Sequence, residues 1–417
     1  MLVRQRQSVI IWRMETGLEK LREAIDRYAE KVFPSKQKLM EVLESGKKLT
    51  MYHGVDPTAP QLHFGHATNY LLLREFQNLG HKIILLIGDF TARIGDPTGK
   101  SQTRKPLTSE EVLLNSKTYK KQAGIILDFL SKKNPVLLCY NSSWLQKLTL
   151  QDVLRLAAEV TVGQMIKRDM FQERMKTGRE VYLHEFLYPL MRGYDSVAMN
   201  VDGEVGGTDQ MFNMLVGRDL ERAFLNKEKF VLTTTLLVNP KTGKKLMSKS
   251  EGGYIALNDS PQEMYGKVMA LPDEVIFPCL SLCTQIPLEK IAGMQEDIKR
   301  GELSKRNAKA FLARESVAMY HGAEEADEAE KEFIRVFQGE ELPSDIPVIR
   351  VESRKAWIID ALLVRIKLAS SKSEARRLVE QGGVKVDGVV LKDEKTPIRI
   401  RKGMLIQVGK RRYARVA

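Results

Sequence analysis

His63 and His66 stand three residues apart in the stretch Met51–Arg74, MYHGVDPTAPQLHFGHATNYLLLR. At that spacing two imidazoles share one face of a helix. A helix entrance adds unpaired N–H groups and partial positive charge, which suits phosphate. Two imidazole donors there can stabilise charge that builds on a phosphate in a transition state. Gly65 between them leaves room for a flat ring against the backbone. The elements that must hold the pair are legible around it. Leu49–His53 reads as the end of a strand, and Gly54, Asp56-Pro57-Thr58 and Pro60 break it. Ala67, Tyr70, Leu71, Leu73 and Phe76 then keep helical spacing. Alone the pair is a weak signal, because surface or capping histidines give the same pattern.

A second candidate lies far downstream, in Lys245-Leu246-Met247-Ser248-Lys249-Ser250. A mobile cation in such a Gly/Lys/Ser loop can close on pyrophosphate. Without other motifs, Lys241–Lys249 is simply a basic surface loop. A third is Tyr188, Arg192 and Asp195, which fall on one stripe of a helix.

Together the first two resemble the HIGH and KMSKS signatures of class I aminoacyl-tRNA synthetases. Tyr52-x-Gly54-x-Asp56-Pro57-Thr58, Ile94-Gly95-Asp96-Pro97-Thr98-Gly99-Lys100 and Gly206-Gly207-Thr208-Asp209-Gln210 narrow the resemblance to bacterial-type tyrosyl-tRNA synthetases, in order, from about Gln37 onward. The resemblance implies two steps: tyrosine attacks the α-phosphate of ATP, and the tyrosyl group then moves to tRNA. It implies catalytic roles for His63, His66, Lys249 and Thr58. It gives ATP to Gly65, Gly207, Asp209, Lys245 and Lys249, with Gly207 and Asp209 on the ribose. Tyr52 and Asp195 would bond the phenol hydroxyl, Asp96 and Tyr188 the ammonium, and Gln210 the carboxylate. Asp56 orients the loop or only caps a turn. For Tyr194 core packing is the expectation. Mg²⁺ would arrive with ATP, with no dedicated protein metal site. The implied partners are tRNA(Tyr), L-tyrosine, ATP and a second copy of the chain, in the cytoplasm.

Two positions depart from that pattern. Arg192 stands where the family has Gln, facing the substrate ammonium, and a guanidinium there would repel it. It is expected to weaken tyrosine binding or to turn aside onto Asp96, Asp195 or a nearby Glu. Leu246 replaces the first lysine of KMSKS, for which Lys244 or Lys245 can substitute by a small loop shift.

Composition agrees in outline. A chain of 417 residues suggests roughly three domains. No apolar run approaches the length of a membrane span. Cys139, Cys279 and Cys283 are too few for a disulfide framework, so Cys279 and Cys283 read as buried thiols in a helix. The net charge is +13, and from Arg350 onward there are 18 lysines and arginines against seven acids. That asymmetry points to a polyanion, with nucleic acid first. The first 14 residues carry arginines and no acid. They read as an upstream start with Met14 as the working one, or as a tail, rather than as a transit segment.

The expected fold is α/β: a doubly wound parallel-sheet (Rossmann-like) catalytic domain, an α-helical domain, then a small α+β RNA-binding domain. Residues 1–36 are an N-terminal extension, with two amphipathic helices over Glu15–Glu44 broken at Phe33-Pro34-Ser35. Residues 37–250 form the catalytic domain, its buried strands at Ile83–Phe90 and Val136–Tyr140. A helical insertion at about 116–184 carries the dimer interface by resemblance. Residues 251–337 are helical and resemble an anticodon-stem-binding domain; 338–355 are a linker. In 356–417, Ala356–Lys367 is an expected helix, Ser370 or Ser371 caps the next, and Asp387-Gly388 turns a hairpin. This part resembles a module shared by a ribosomal small-subunit protein and pseudouridine synthases. The competing readings are a tryptophanyl relative, an RNA-binding relative that has lost aminoacylation through Arg192, and an RNA-binding protein with an unrelated α/β domain.

Overall fold

The computed structural model describes residues 17–98, 107–247, 254–338, 346–351, 356–391, 393–409 and 412–417. Lys249 and Lys100 lie outside them, as do Met14 and residues 339–345 of the expected linker. The described residues fall into two compact units, one within 1–260 and 267–320, the other within 261–266 and 321–417.

The first unit is built on six strands: β1 (Ala29–Phe33), β2 (Thr50–Val55), β3 (Lys82–Ile87), β4 (Leu137–Tyr140), β5 (Gly203–Gly207) and β6 (Phe230–Thr234). Their order is β1-β6-β5-β2-β3-β4. All neighbours are parallel except β1, which runs antiparallel to β6 at one edge. β3 is a continuous apolar run because both of its faces are covered. It stops at Ile87, short of the expected Phe90. The chain moves outward from β2 through β3 to β4, and the other way from β5 to β6, so the order reverses between β2 and β5. Ligands in open parallel sheets bind at such a switch point, beyond the carboxyl ends of the strands.

The expected pair of N-terminal helices is corrected. Residues 17–28 form helix α1 and Lys36–Glu44 form α2, but the chain between them is strand β1. Ala29–Phe33 carries no clear alternation, and the exposed edge of β6 supplies hydrogen bonds that local pattern cannot reveal.

Helix α3 (Phe64–Asn78) follows β2 and buries Phe64, Ala67, Tyr70, Leu71, Leu73 and Phe76. Helices α4 (Leu183–Met199) and α5 (Met211–Leu225) flank β5, and Tyr194 packs into the apolar cluster between them. Helix α6 (Ile276–Cys283) buries both of its cysteines and packs on the first turns of α3, where Thr68 donates to the carbonyl of Leu282 at 3.0 Å. The Arg27 guanidinium, at the end of α1, donates to the carbonyls of Leu280, Ser281, Thr284 and Ile286 at 2.7–3.0 Å. Carbonyls at a helix C-terminus have no intrahelical partner, so Arg27, with Thr68, Tyr28 and Thr284, satisfies what α6 leaves open. Burial pulls against the Arg27 charge, which makes these bonds necessary.

In the second unit, helix α7 (Ala323–Gln338) precedes the small C-terminal module. There β7 (Val348–Ile349), β9 (Val384–Val386), β10 (Val389–Val390), β12 (Met404–Val408) and β13 (Arg412–Val416) form one sheet, ordered β10-β9-β12-β13-β7. β8 (Ala356–Ile358) pairs with β11 (Pro397–Arg399). The expected helix therefore starts three residues late, as α8 (Ile359–Arg365), because β11 captures Ala356–Ile358. Helix α9 (Lys372–Glu380) is capped by Ser371, and Asp387 and Gly388, both at positive φ, make the hairpin turn. Leu362, Leu363, Val384, Ile406 and Val416 fill the core, which leaves Arg377, Arg399, Arg401 and Lys402 exposed.

Candidate active site

His63 is the N-cap of α3, and the two histidines cap the helix reciprocally. Nδ1 of His63 accepts from Gly65 N–H at 3.1 Å, and Nδ1 of His66 accepts from His63 N–H at 3.2 Å. A neutral imidazole that accepts at Nδ1 carries its proton on Nε2. Both rings are thus set as Nε2–H donors, with centroids 4.1 Å apart. The backbone geometry of the cap fixes which nitrogen donates, which suits them to phosphate oxygens.

The chain that follows the second signature meets the first. Ala256, just past the Lys249 loop, bridges antiparallel to His63, and Phe64 N–H donates to the carbonyl of Ile255 at 3.1 Å. At the near side of the loop, Lys245 pairs with Asp209 at 2.9 Å. Asp209 lies in the short 3₁₀ turn after β5. A Cβ on Gly207 would lie 2.6 Å from Asp209 Oδ1 and would displace that carboxylate. Thr58 is exposed on a tight turn after β2, its N–H bonded to the carbonyl of Asp56 at 2.8 Å.

The other end of the crevice is a buried polar network. Tyr188 donates to Asp56 Oδ2 at 2.9 Å, and Thr91 donates to Asp56 Oδ1 at 2.7 Å. Asp96 takes the N–H of Thr98 on one oxygen and the Gln210 amide on the other, each at 2.9 Å. Gln210 therefore orients Asp96. Arg168 reaches in from the segment before α4, donates to Thr98 Oγ1 at 2.8 Å and lies over the Phe212 ring at 4.6 Å.

Asp195 is completely buried. It accepts from Trp144 Nε1 at 2.8 Å, from Asn141 Nδ2 at 3.2 Å and from Arg192 Nη1 at 3.3 Å. Burial pushes its carboxyl up to about 7, against the pull of those three donors. Arg192 has turned toward Asp195 and Glu204 Oε1, the latter at 3.6 Å, and its Nη2 donates to the carbonyl of Gly54 at 3.4 Å. A Cβ on Gly54 would sit 2.2 Å from Arg192 Nη1, so a larger residue there would displace the guanidinium. Glu204 also holds Lys229, at 2.6 Å. Burial opposes the Glu204 charge, but Lys229 and Arg192 outweigh it and keep the carboxyl below its ordinary value. Lys229 donates to Ser196, which bonds the Tyr52 hydroxyl at 2.8 Å. Tyr52 is fully buried, so its hydroxyl already belongs to this network.

Of the residues expected from sequence, all but Lys249 are among those described; contacts join Lys245 to Asp209, Gln210 to Asp96 and Arg192 to Asp195, while Tyr52 lies within β2 with its hydroxyl on Ser196. Asn141, Trp144, Ser196, Glu204, Lys229 and Arg168 were not anticipated. Glu204 and Lys229 do leave a trace, as charges inside or beside apolar strands. Such charges need partners, but the trace does not say which.

The profile of the class I tRNA synthetases (W and Y) matches residues 44–338, and that of the S4 domain matches residues 359–406. The chain is 47% identical over 379 residues to the tyrosine–tRNA ligase of Moorella thermoacetica, covering 91% of this chain and 90% of that one. It is 46% identical over 383 residues to the tyrosine–tRNA ligase of Thermotoga maritima, covering 92% and 94%. Among solved structures, a C-terminally truncated mitochondrial tyrosyl-tRNA synthetase of Aspergillus nidulans superposes with a TM-score of 0.63 at 27% identity, over 77% of this chain and 94% of that one.

Proposed function

This chain belongs to the class I tRNA synthetases of the tryptophan and tyrosine type, and we propose that it ligates tyrosine to tRNA at the expense of ATP. Tyrosine and ATP give tyrosyl-adenylate and pyrophosphate, and the tyrosyl group then passes to the 3′ end of tRNA. Neither step needs a covalent enzyme intermediate, so the protein works by positioning and by stabilising charge.

The observation that carries the tyrosine assignment is Asp195, a buried carboxylate with three donors converging on it. A phenol hydroxyl is the donor that such an acceptor selects, and phenylalanine would leave it unpaired. In this reading His63 and His66 donate from Nε2 to the ATP phosphates, with Thr58 and the Lys249 loop closing over pyrophosphate. Asp209 takes the ribose hydroxyls once Lys245 releases it. Asp96 receives the ammonium and Tyr188 fixes the floor through Asp56. Mg²⁺ comes on the ATP phosphates.

The same reading assigns residues 37–250 to catalysis, 251–337 to the anticodon stem and 356–417 to RNA. A hollow of about 380 Å³ lined by Trp357, Lys372 and Arg376 supports the last. A homodimer in the cytoplasm completes it. Its support is the exposed apolar set Leu113, Leu114, Leu150, Leu154, Val162 and Leu183 in the first unit. Charging of tRNA(Tyr) with labelled tyrosine by the purified chain tests the proposal. Product that depends on both ATP and tRNA is the expected result, and tight tRNA binding without product would reject it.

A further inference from the structure

Arg192 and Glu204 face each other across the amino-acid end of the crevice, one on α4 and the other on β5. Glu204 is a register partner of Tyr52 on β2, so its side chain leaves the sheet beside the tyrosine ring. Its two oxygens are divided between Arg192 and Lys229, at 3.6 and 2.6 Å. Arg192 in turn spans Glu204 and Asp195. All four side chains are at least nine-tenths buried. Two cations and two carboxylates make a neutral set, and buried charge is tolerated only when so matched. A neutral side chain at position 192 would leave two carboxylates to one ammonium, with Asp56 adding a third negative group nearby.

We infer that Arg192 is a positioning and specificity-determining residue, which with Glu204 as its matched counter-charge presents Asp195 to the phenol as a fixed, ionised acceptor. The inference rests on the tyrosine reading of the site. The guanidinium does not meet the substrate ammonium as a free charge, because Asp195, Glu204 and the Gly54 carbonyl hold it. Burial disfavours the Asp195 carboxylate most, and the groups that face it pull in both directions. Arg192 from its own helix, and Trp144 and Asn141 from the segment after β4, favour the carboxylate. Asp56 after β2 disfavours it. Tyr52 on β2 is held neutral by burial, and Lys229 before β6 acts through Glu204.

The test is tyrosine- and phenylalanine-dependent pyrophosphate exchange by the full chain, by Arg192→Gln and by Arg192→Gln with Glu204→Gln, from about pH 6 to 9. Arg192→Gln is expected to lower tyrosine kcat/KM at neutral pH by about tenfold to a hundredfold, mainly through KM. The phenylalanine value should change by less than about threefold, since only a phenol uses Asp195. The tyrosine profile should move to higher pH, as Asp195 loses the cation that favours its ionised form. The double variant, with its net charge again matched, should recover part of the loss, while its profile stays at higher pH because the cation beside Asp195 is still missing. It also serves if the single variant fails to fold. Tyrosine binding that is unchanged or tighter in Arg192→Gln, with an unmoved profile, would overturn the inference, as would a double variant no better than the single one. A parent chain silent with tyrosine would overturn the tyrosine reading as well.

Discussion

At the end of the crevice proposed for the nucleotide, His63, His66, Thr58 and Asp209 come from two short stretches and stay partly or fully exposed. At the end proposed for the amino acid, Asp195, Arg192, Glu204 and Lys229 come from three separate elements and are buried. The first end works through donors preset by backbone geometry, with the histidine rings locked by the cap of α3. The second works through charges that hold one another in place. Damage should therefore spread differently: locally and kinetically at the first, cooperatively and through stability at the second.

Asp195→Ala gives the largest expected effect. It removes the phenol acceptor and leaves Arg192 buried with one carboxylate, a change of about 3–5 kcal/mol. Tyrosine kcat/KM should fall about a thousandfold, and the melting temperature should fall with it; a loss confined to kinetics would break the contrast. His66→Ala comes next. It should cost about a hundredfold in the rate of activation, as for a lost oxyanion donor. Tyrosine KM should stay within about twofold and stability should fall by only about 1 kcal/mol, the worth of a cap.

Arg27→Ala sharpens the comparison from outside the site. Four carbonyls lose one donor group, so we expect about 2 kcal/mol less stability by denaturant titration. The effect should reach the histidine end through α6 and leave tyrosine-to-phenylalanine selectivity unchanged. The smallest effect is on pH. With the Asp195 carboxyl near 7 in the free protein, the ionised acceptor is lost as pH falls below that value. Tyrosine kcat/KM should drop about tenfold for each pH unit below about 7 and level off above it. Phenylalanine should show no such limb.

How much was legible follows the same division. The histidine pair, the Lys245–Ser250 loop and the Gly206–Gln210 turn are contiguous, so their resemblance to family signatures exposes them where spacing alone would not. Gln210 and Tyr188 were expected at the site, but their hydrogen bonds to Asp96 and Asp56 were not. The bracketing of Glu204 by Arg192 and Lys229 joins α4, β5 and the start of β6, and no local pattern encodes such a meeting. Arg192 shows the cost. From sequence it either repels an ammonium or turns aside onto Asp96, Asp195 or a nearby Glu; the fold takes the second course, with Asp195 and Glu204, and makes it one quarter of a neutral group. Strand β1 was missed for a related reason, since its partner β6 lies some two hundred residues away.

The central claim is that this chain activates tyrosine through a buried phenol acceptor. Pyrophosphate exchange measured side by side with tyrosine, tryptophan and phenylalanine tests it most directly. Exchange with tyrosine, and rates at background with the other two, is the result predicted. Exchange with tryptophan, or equal exchange with tyrosine and phenylalanine, would contradict it.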